Sequence, residues 1–151
     1  MVQAVKENIN RPLRVGVIGV GVMGANHARV FATLPNVQLV AVVDPSRQQR
    51  DLVTRILGTP AFDNLEALFD LDVDAVTIAA PTHLHHDIAL KCIARGFHLM
   101  VEKPIASNID EGRDIIGHAR RADVTLMVGH VERFNPAVQA IKEAIADEDI
   151  L

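Results

Sequence analysis

The sequence predicts a doubly wound α/β fold, in which one parallel sheet of six main strands carries helices on both faces. Two observations predict it. Short apolar runs of the kind buried in parallel sheets alternate with helix-like segments along the chain. The first run also ends in a glycine-rich turn that leads directly into a helix. With 151 residues, 49% of them hydrophobic, the chain can bury one core and is expected to form one domain.

The strands are predicted from their apolar runs and from the turn residues between them. Residues 1–12 are polar and are interpreted as an arm, and the domain is expected to occupy residues 13–148. The predicted strands lie at 13–18, 37–43, 61–62, 73–80, 97–101 and 124–128. Right-handed crossovers then give the strand order 3-2-1-4-5-6.

The helices are predicted from apolar positions at helical spacing and from residues that commonly begin or end helices. The first helix is expected at 22–34, and the second opens at Pro45 and stops at Gly58. The remaining helices are predicted to begin at Asp63 with Glu66, at Thr82, at Ser107 with Asp110, and at Asn135 with Pro136.

The glycine-rich turn after the first strand is Gly19-Val20-Gly21-Val22-Met23-Gly24. In a Gly-x-Gly-x-x-Gly turn the first glycine permits the tight bend, and the second lets a pyrophosphate approach the backbone. The third allows the helix to pack closely on the strand. The helix N-terminus offers free N–H groups to phosphates. We therefore expect dinucleotide contacts at the three glycines and at Val22 and Met23.

An acidic residue, Asp44, ends the second apolar run about twenty residues after the glycines. A carboxylate there can accept from ribose hydroxyls and would repel a 2′-phosphate, so NAD is expected over NADP. Arg47 lies three residues further on and could attract that phosphate, which leaves NADP open. The alternative is a structural turn with an Asp that caps a helix.

Further polar residues follow the later strands, at the edge where doubly wound sheets bind ligands. They are Pro81-Thr82, Glu102-Lys103-Pro104 and Gly129-His130. Lysine suits proton transfer to or from an alcohol. The proline makes a cis peptide bond plausible. The alternative for Glu102-Lys103-Pro104 is an ordinary charged turn.

Composition excludes several classes of protein. A net charge of −4 and an aromatic content of 3% argue against a nucleic-acid partner, because no basic stripe or stacking platform is present. No apolar run approaches the length of a bilayer span, and the polar start does not resemble a signal peptide. The lone Cys92 indicates neither a disulfide framework nor a Cys-based metal site. We expect a cytoplasmic protein without a membrane partner.

Three histidines, His83, His85 and His86, cluster where a helix is predicted to begin. Positions i, i+2 and i+3 do not converge on one helix face, so no metal site is predicted. A solvated helix start is the favoured interpretation.

Taken together, the motifs resemble the N-terminal half of the Gfo/Idh/MocA family of NAD(P)-dependent oxidoreductases. The matching segments, in family order, are Gly19–Gly24, Asp44, Ala80-Pro81-Thr82-x-x-His85-x-x-x-Ala89, the run from Gly96 to Glu102-Lys103-Pro104, and Arg133-Phe134-Asn135-Pro136. The resemblance implies that a nicotinamide exchanges hydride with a sugar, a cyclitol or a related alcohol.

The resemblance also implies roles for individual residues. Lys103 is expected to be catalytic, Pro81 and Thr82 to line the cofactor cleft, and Glu102 and His85 to lie in that cleft. The family's second domain, an α+β substrate-binding domain, is expected to lie outside this chain. We therefore expect the 151-residue chain to bind cofactor with negligible turnover. A homo-oligomer is left open.

The stretch after the sixth strand bears on the substrate. His130 and Arg133 could contact its hydroxyl or anionic groups, and the stretch is similar to that of family members that act on nucleotide sugars. A helix-capping Asn135 with structural charges is an equal alternative. Two functions remain: the cofactor domain of a sugar-type dehydrogenase, and a stand-alone module that binds or senses dinucleotide. Lys103 favours the first, because a sensor does not need it.

Overall fold

A computed structural model describes residues 11–146 of the chain. Strands and helices alternate throughout. The strands are β1 Leu13–Ile18, β2 Val37–Val43, β3 Ala61–Phe62, β4 Ala75–Ile78, β5 His98–Val101 and β6 Leu126–Val128. The helices are α1 Val22–Phe31, α2 Arg47–Leu57, α3 Glu66–Phe69, α4 His85–Ile93, α5 Ile109–Arg121 and α6 Pro136–Ala146, with 3₁₀ segments at Thr82–Leu84 and Val131–Phe134.

The six strands form one sheet in the order β3-β2-β1-β4-β5-β6, and every strand pair is parallel. This is the predicted doubly wound arrangement, so the fold class and the strand order are confirmed. The last residues of the long strands are in register: Ile18 pairs with Val43 and Ile78, and Val101 pairs with Ile78 and Val128. The residues that follow these strands therefore emerge side by side at one edge.

Apolar side chains bury the sheet on both faces. Val17 and Val42 belong to a cluster with residues of α1 and α2. Their neighbours Ile18 and Val43 belong to a larger cluster with residues of α3, α4 and α5. Successive strand residues point to opposite faces, which is why these strands read as continuous apolar runs. Cys92 lies in the larger cluster, where burial raises the pKa of its thiol to about 12 and keeps it neutral.

Several predicted boundaries differ from the observed ones. The first helix ends at Phe31, and β4 is shorter than the predicted 73–80. The second helix begins after Ser46, whose hydroxyl accepts the Gln49 N–H, rather than at Pro45. Thr82 begins a 3₁₀ segment, and α4 starts three residues later.

The cap of α5 also differs from the prediction. Asn108, not Ser107, accepts the Glu111 N–H at 2.9 Å. The Ser107 N–H donates to the Glu111 carboxylate at 3.1 Å, which completes a reciprocal cap.

The ends of the chain are only partly described. Of the predicted arm, Arg11 and Pro12 fall within the described residues, whereas the predicted domain end at residue 148 lies outside them. Both Arg11 Nη atoms donate to Asp74 at 2.8 Å, and this bond lowers the pKa of the Asp74 carboxyl.

Within residues 11–146, no helix combines the length and the apolarity that crossing a membrane requires.

Helices α4 and α5 are joined by a pair of titratable side chains. The imidazole Nε2 of His86 lies 2.9 Å from Asp114 Oδ2. The hydrogen bond to Asp114 raises the pKa of His86, and the same bond lowers the pKa of Asp114. A histidine whose pKa is raised by folding stabilises the fold at pH values below the pKa of the unfolded chain, and this stabilisation is lost as pH rises. An aspartate whose pKa is lowered by folding stabilises the fold at pH values above the pKa of the unfolded chain, and this stabilisation is lost as pH falls.

The pair should therefore stabilise the fold fully between about pH 4 and pH 6.5 and progressively less above that range. We expect His86→Leu to lower the melting temperature, with a larger difference from the wild type at about pH 5 than at about pH 8. Thermal unfolding followed by far-UV circular dichroism at both pH values measures this. A difference independent of pH would show that the pair does not titrate as described.

Candidate functional site

The candidate site lies at the carboxyl edge of the sheet. The backbone N–H of Gly19 donates to Val43 O at 2.7 Å, which extends the β1–β2 pairing by one residue. On the other side, the N–H of Glu102 donates to Ile78 O at 2.9 Å and that of Gly129 donates to Val101 O at 2.8 Å. These bonds hold the turns after β1, β2, β4, β5 and β6 together at the edge where α/β sheets bind ligands.

The space available for a side chain differs among the three glycines of the turn. Gly19 has φ +82°, and a Cβ there would lie 2.7 Å from Ala80 N. A Cβ on Gly24 would lie 1.7 Å from Gly19 O. Gly21, in contrast, has nothing within 4 Å of a Cβ position. The packing of the chain thus requires the first and third glycines, whereas the second faces open space that a ligand can occupy.

The N-terminus of α1 opens into this space. Gly21 is its N-cap, no side chain caps it, and its first turn holds no acidic residue. Val22 and Met23 are exposed there, Val22 by 82% of its surface. Uncapped N–H groups at a helix N-terminus attract phosphate oxygens. The geometry therefore suits the predicted pyrophosphate contacts.

Asp44 ties two turns together. Its carboxylate is buried, with Oδ2 accepting the Val20 N–H and Oδ1 accepting the Ser46 N–H, both at 2.8 Å. These contacts give Asp44 a structural role in the turn, but the helix-capping part of the alternative is wrong, because the N-cap of α2 is Ser46. Each carboxylate oxygen can accept a second hydrogen bond, so this role does not preclude contact with a ribose hydroxyl.

Two arginines follow Asp44. Arg50 Nη1 donates to Asp44 O at 2.7 Å and to Pro45 O at 2.9 Å, which fixes the backbone of this turn. Arg47 is exposed, and its Nε lies 3.6 Å from Asp51 Oδ2. An exposed pair at this distance is weak, so Arg47 can turn toward an anion beside Asp44.

The turn after β5 presents Lys103 to solvent and buries Glu102. The Lys103–Pro104 peptide bond is cis, as the sequence suggested. Glu102 Oε2 accepts the Lys103 N–H at 3.2 Å, and Oε1 lies 2.8 Å from Nε2 of His27 on α1. A Cβ on Gly129 would lie 3.1 Å from Glu102 Oε1, so this glycine makes room for the carboxylate.

The three clustered histidines have three different environments. His83 is exposed, and His86 contacts Asp114. His85 is buried, with Nδ1 3.0 Å from Pro104 O and Nε2 2.8 Å from Ala80 O. The predicted solvated helix start is therefore wrong for His85. Among residues 11–146, no three side chains of metal-ligating type gather into a metal site.

The His85 ring joins the turn after β4 to the turn after β5. A carbonyl oxygen only accepts hydrogen bonds, so a neutral imidazole can donate to one of its two carbonyl neighbours and an imidazolium to both. His85 lies beneath the exposed Pro81, the half-buried Thr82 and the Lys103 turn. It supports the predicted cleft from below and has no exposed surface with which to line it.

The residues proposed for substrate lie after β6. His130 and Arg133 are both exposed. Arg133 lines a groove of about 450 Å³ with Val138, Gln139, Lys142 and Glu143, and no residue of the glycine turn lines it. Asn135 Oδ1 accepts the Ala137 N–H at 3.0 Å, so the helix cap that the sequence left as an alternative is present. The substrate roles of His130 and Arg133 stay predictions.

Comparison with known proteins identifies the chain. The Gfo/Idh/MocA family model, described as an oxidoreductase family with an NAD-binding Rossmann fold, matches residues 13–130. The chain belongs to this family. It carries the NAD-binding Rossmann domain of an oxidoreductase, as the motifs predicted.

Two curated relatives show the range of named activities. A UDP-N-acetylglucosamine 3-dehydrogenase of Acidithiobacillus ferrooxidans is 36% identical over 132 residues, which cover 87% of this chain and 41% of the relative. A scyllo-inositol 2-dehydrogenase (NAD(+)) of Bacillus subtilis is 34% identical, over 88% of this chain and 40% of the relative. The chain spans about two fifths of the length of these relatives.

Solved structures agree with the family assignment. The WlbA dehydrogenase from Bordetella pertussis, in complex with NADH and UDP-GlcNAcA, superposes with a TM-score of 0.85 at 27% identity. The match covers 91% of this chain and 42% of that one.

Two residues with polar contacts at this sheet edge, His27 and Arg50, are not among those that the sequence motifs singled out. The only sequence signal for His27 is a polar ring among apolar positions of a helix that packs on the sheet. Its partner Glu102 lies 75 residues away in the chain, so no local pattern joins them.

The glycine geometry predicts opposite outcomes for two alanine variants. Gly24→Ala should lower the free energy of unfolding by about 2 kcal/mol or more, because its Cβ would overlap the backbone at Gly19. Gly21→Ala should change it by less than about 1 kcal/mol yet weaken NAD+ binding at least about tenfold, because the methyl group fills the open space. Urea unfolding and calorimetric titration measure the two effects. If Gly21→Ala binds NAD+ as tightly as the wild type, the pyrophosphate does not bind at this turn.

Proposed function

We propose that this domain serves an oxidoreductase that transfers hydride between NAD and an alcohol carbon of a sugar, a cyclitol or a nucleotide sugar. One observation carries the proposal. The parallel register brings an exposed lysine, Lys103, to the same sheet edge as the glycine turn and Asp44. A module that only binds or senses dinucleotide needs the turn and the carboxylate but has no use for the lysine.

Lys103 is the proposed proton-transfer group. Its backbone N–H donates to Glu102 Oε2, so the side chain leaves a turn that is held by a hydrogen bond. NAD supplies the hydride acceptor when it is bound. In its neutral form, Lys103 Nζ can take the hydroxyl proton of the substrate as the C–H hydride departs, and in reduction it returns that proton.

The substrate class is supported by what named relatives act on or bind. Those relatives are named for UDP-N-acetylglucosamine and scyllo-inositol, and WlbA was crystallised with NADH and UDP-GlcNAcA. We propose His130 and Arg133 as substrate contacts from this domain. The rest of the pocket would come from a substrate domain of the kind the family resemblance implies. The cytoplasmic location and a homo-oligomer stay predictions.

We further propose that NAD is preferred over NADP. The buried carboxylate of Asp44 lies beside the glycine turn that would hold the pyrophosphate, where it can accept from ribose hydroxyls and repel a 2′-phosphate. Arg47 opposes this preference because its side chain is exposed and only weakly paired. Arg47 thus favours a phosphate and Asp44 favours a ribose hydroxyl, and the buried, hydrogen-bonded carboxylate of Asp44 is expected to dominate.

The activity test uses a panel of sugars, cyclitols and nucleotide sugars, with turnover read from nicotinamide absorbance. In an enzyme that joins this domain to its substrate domain, Lys103→Ala should lower kcat about a hundred- to ten-thousandfold, with a much smaller effect on NAD+ affinity. The 151-residue chain alone should bind NAD+ without turnover, because positioning the substrate supplies much of the rate.

Three results would count against this proposal. Robust turnover by the isolated chain would show that the substrate domain is dispensable. An unchanged kcat for Lys103→Ala would show that Lys103 is not the proton-transfer group. Dinucleotide binding without turnover in every form of the protein would favour the sensing module.

A further inference from the structure

We propose that His27 is a positioning residue for the reaction, holding the Lys103 turn in place through the carboxylate of Glu102. The inference rests on the proposed catalytic role of Lys103 and adds a residue to that site. It starts from a side chain on α1, the helix whose N-terminus opens toward the dinucleotide.

The contact between His27 and Glu102 is short and sheltered. Nε2 lies 2.8 Å from Oε1, and the two side chains are only 16% and 9% exposed. A carboxylate oxygen accepts hydrogen bonds, so Nε2 of His27 is the donor in this contact. Charge-assisted hydrogen bonds of this length are among the strong ones in proteins.

The second oxygen of the same carboxylate reaches the proposed catalytic residue. Glu102 Oε2 accepts the backbone N–H of Lys103 at 3.2 Å. One carboxylate therefore bridges α1 and the turn after β5. The backbone from which the Lys103 side chain departs is thus held relative to α1, whose N-terminus would bind the phosphates, through two hydrogen bonds.

The pocket around Glu102 fits this bridge. Gly129 leaves space where a Cβ would approach the carboxylate to 3.1–3.2 Å. A buried carboxylate that loses a donor incurs a desolvation cost, so it turns toward water or another donor. Without His27, Glu102 would leave its position, and the Lys103 N–H would lose its acceptor.

The bridge also defines how Glu102 acts. Its carboxylate is 9% exposed, and both its oxygens are engaged by protein donors. In this arrangement the role of Glu102 is to join the backbone of Lys103 to helix α1.

The test compares three variants of the 151-residue chain by amide hydrogen exchange, measured by NMR without cofactor. His27→Leu removes the donor, whereas His27→Gln keeps an N–H at about the reach of Nε2. His86→Leu is the matched control, because it removes a histidine–carboxylate contact of similar length between α4 and α5. His27→Leu should speed exchange of the Lys103 amide about tenfold or more, His27→Gln less than about threefold, and His86→Leu not at all.

Two results would overturn the proposal: an unchanged Lys103 amide in His27→Leu, or equal acceleration in His86→Leu. If His27→Leu fails to fold, His27→Asn gives the same test, because its shorter amide does not reach Glu102. The readout needs no bound ligand, so it is separate from the proposed function. Failure of the wild type to bind NADH would count against that function and leave the exchange result standing. NADH fluorescence reports binding cleanly, since the chain has no Trp or Tyr.

Discussion

The parallel register of the sheet is the constraint on which the site depends. Parallel strands place all their carboxyl ends at one edge, and here Ile18, Val43, Ile78, Val101 and Val128 end in line. The turns that follow come from distant parts of the chain, yet they meet without any long loop. Helices on both faces bury the strands, so the edge is where polar groups can gather around a ligand.

Polar ties between the turns give that edge its rigidity. Asp44 joins the turns after β1 and β2, and His85 joins those after β4 and β5. The contact of His27 with Glu102 joins α1 to the turn after β5. All four side chains are largely buried, and each bond in an interior of low dielectric is costly to leave unmade. The exposed residues, Val22, Met23 and Lys103, are thereby presented on a fixed support.

The sequence predicted the strands, their order and the glycine turn because those signals are local. Apolar runs mark buried parallel strands, and the glycine offsets follow from steric needs that Gly19 and Gly24 meet in the structure. The exact caps were harder, since Ser107 and Asn108 can both cap α5 and only the backbone geometry chooses Asn108. The contacts of His85, His86 and His27 could not be predicted from the sequence, because their partners lie 19, 28 and 75 residues away in the chain, respectively.

The most direct measurement is a calorimetric titration of NAD+ and NADP+ into the wild-type chain and its Asp44→Ala variant. The account predicts tighter binding of NAD+ by the wild type, and a loss in Asp44→Ala that is greater for NAD+ than for NADP+. The ratio of the two affinities isolates the ribose contact, because any loosening of the turn that Asp44 holds affects both dinucleotides. The account would be contradicted by an unchanged ratio, or by a folded chain that binds neither dinucleotide at about millimolar concentration.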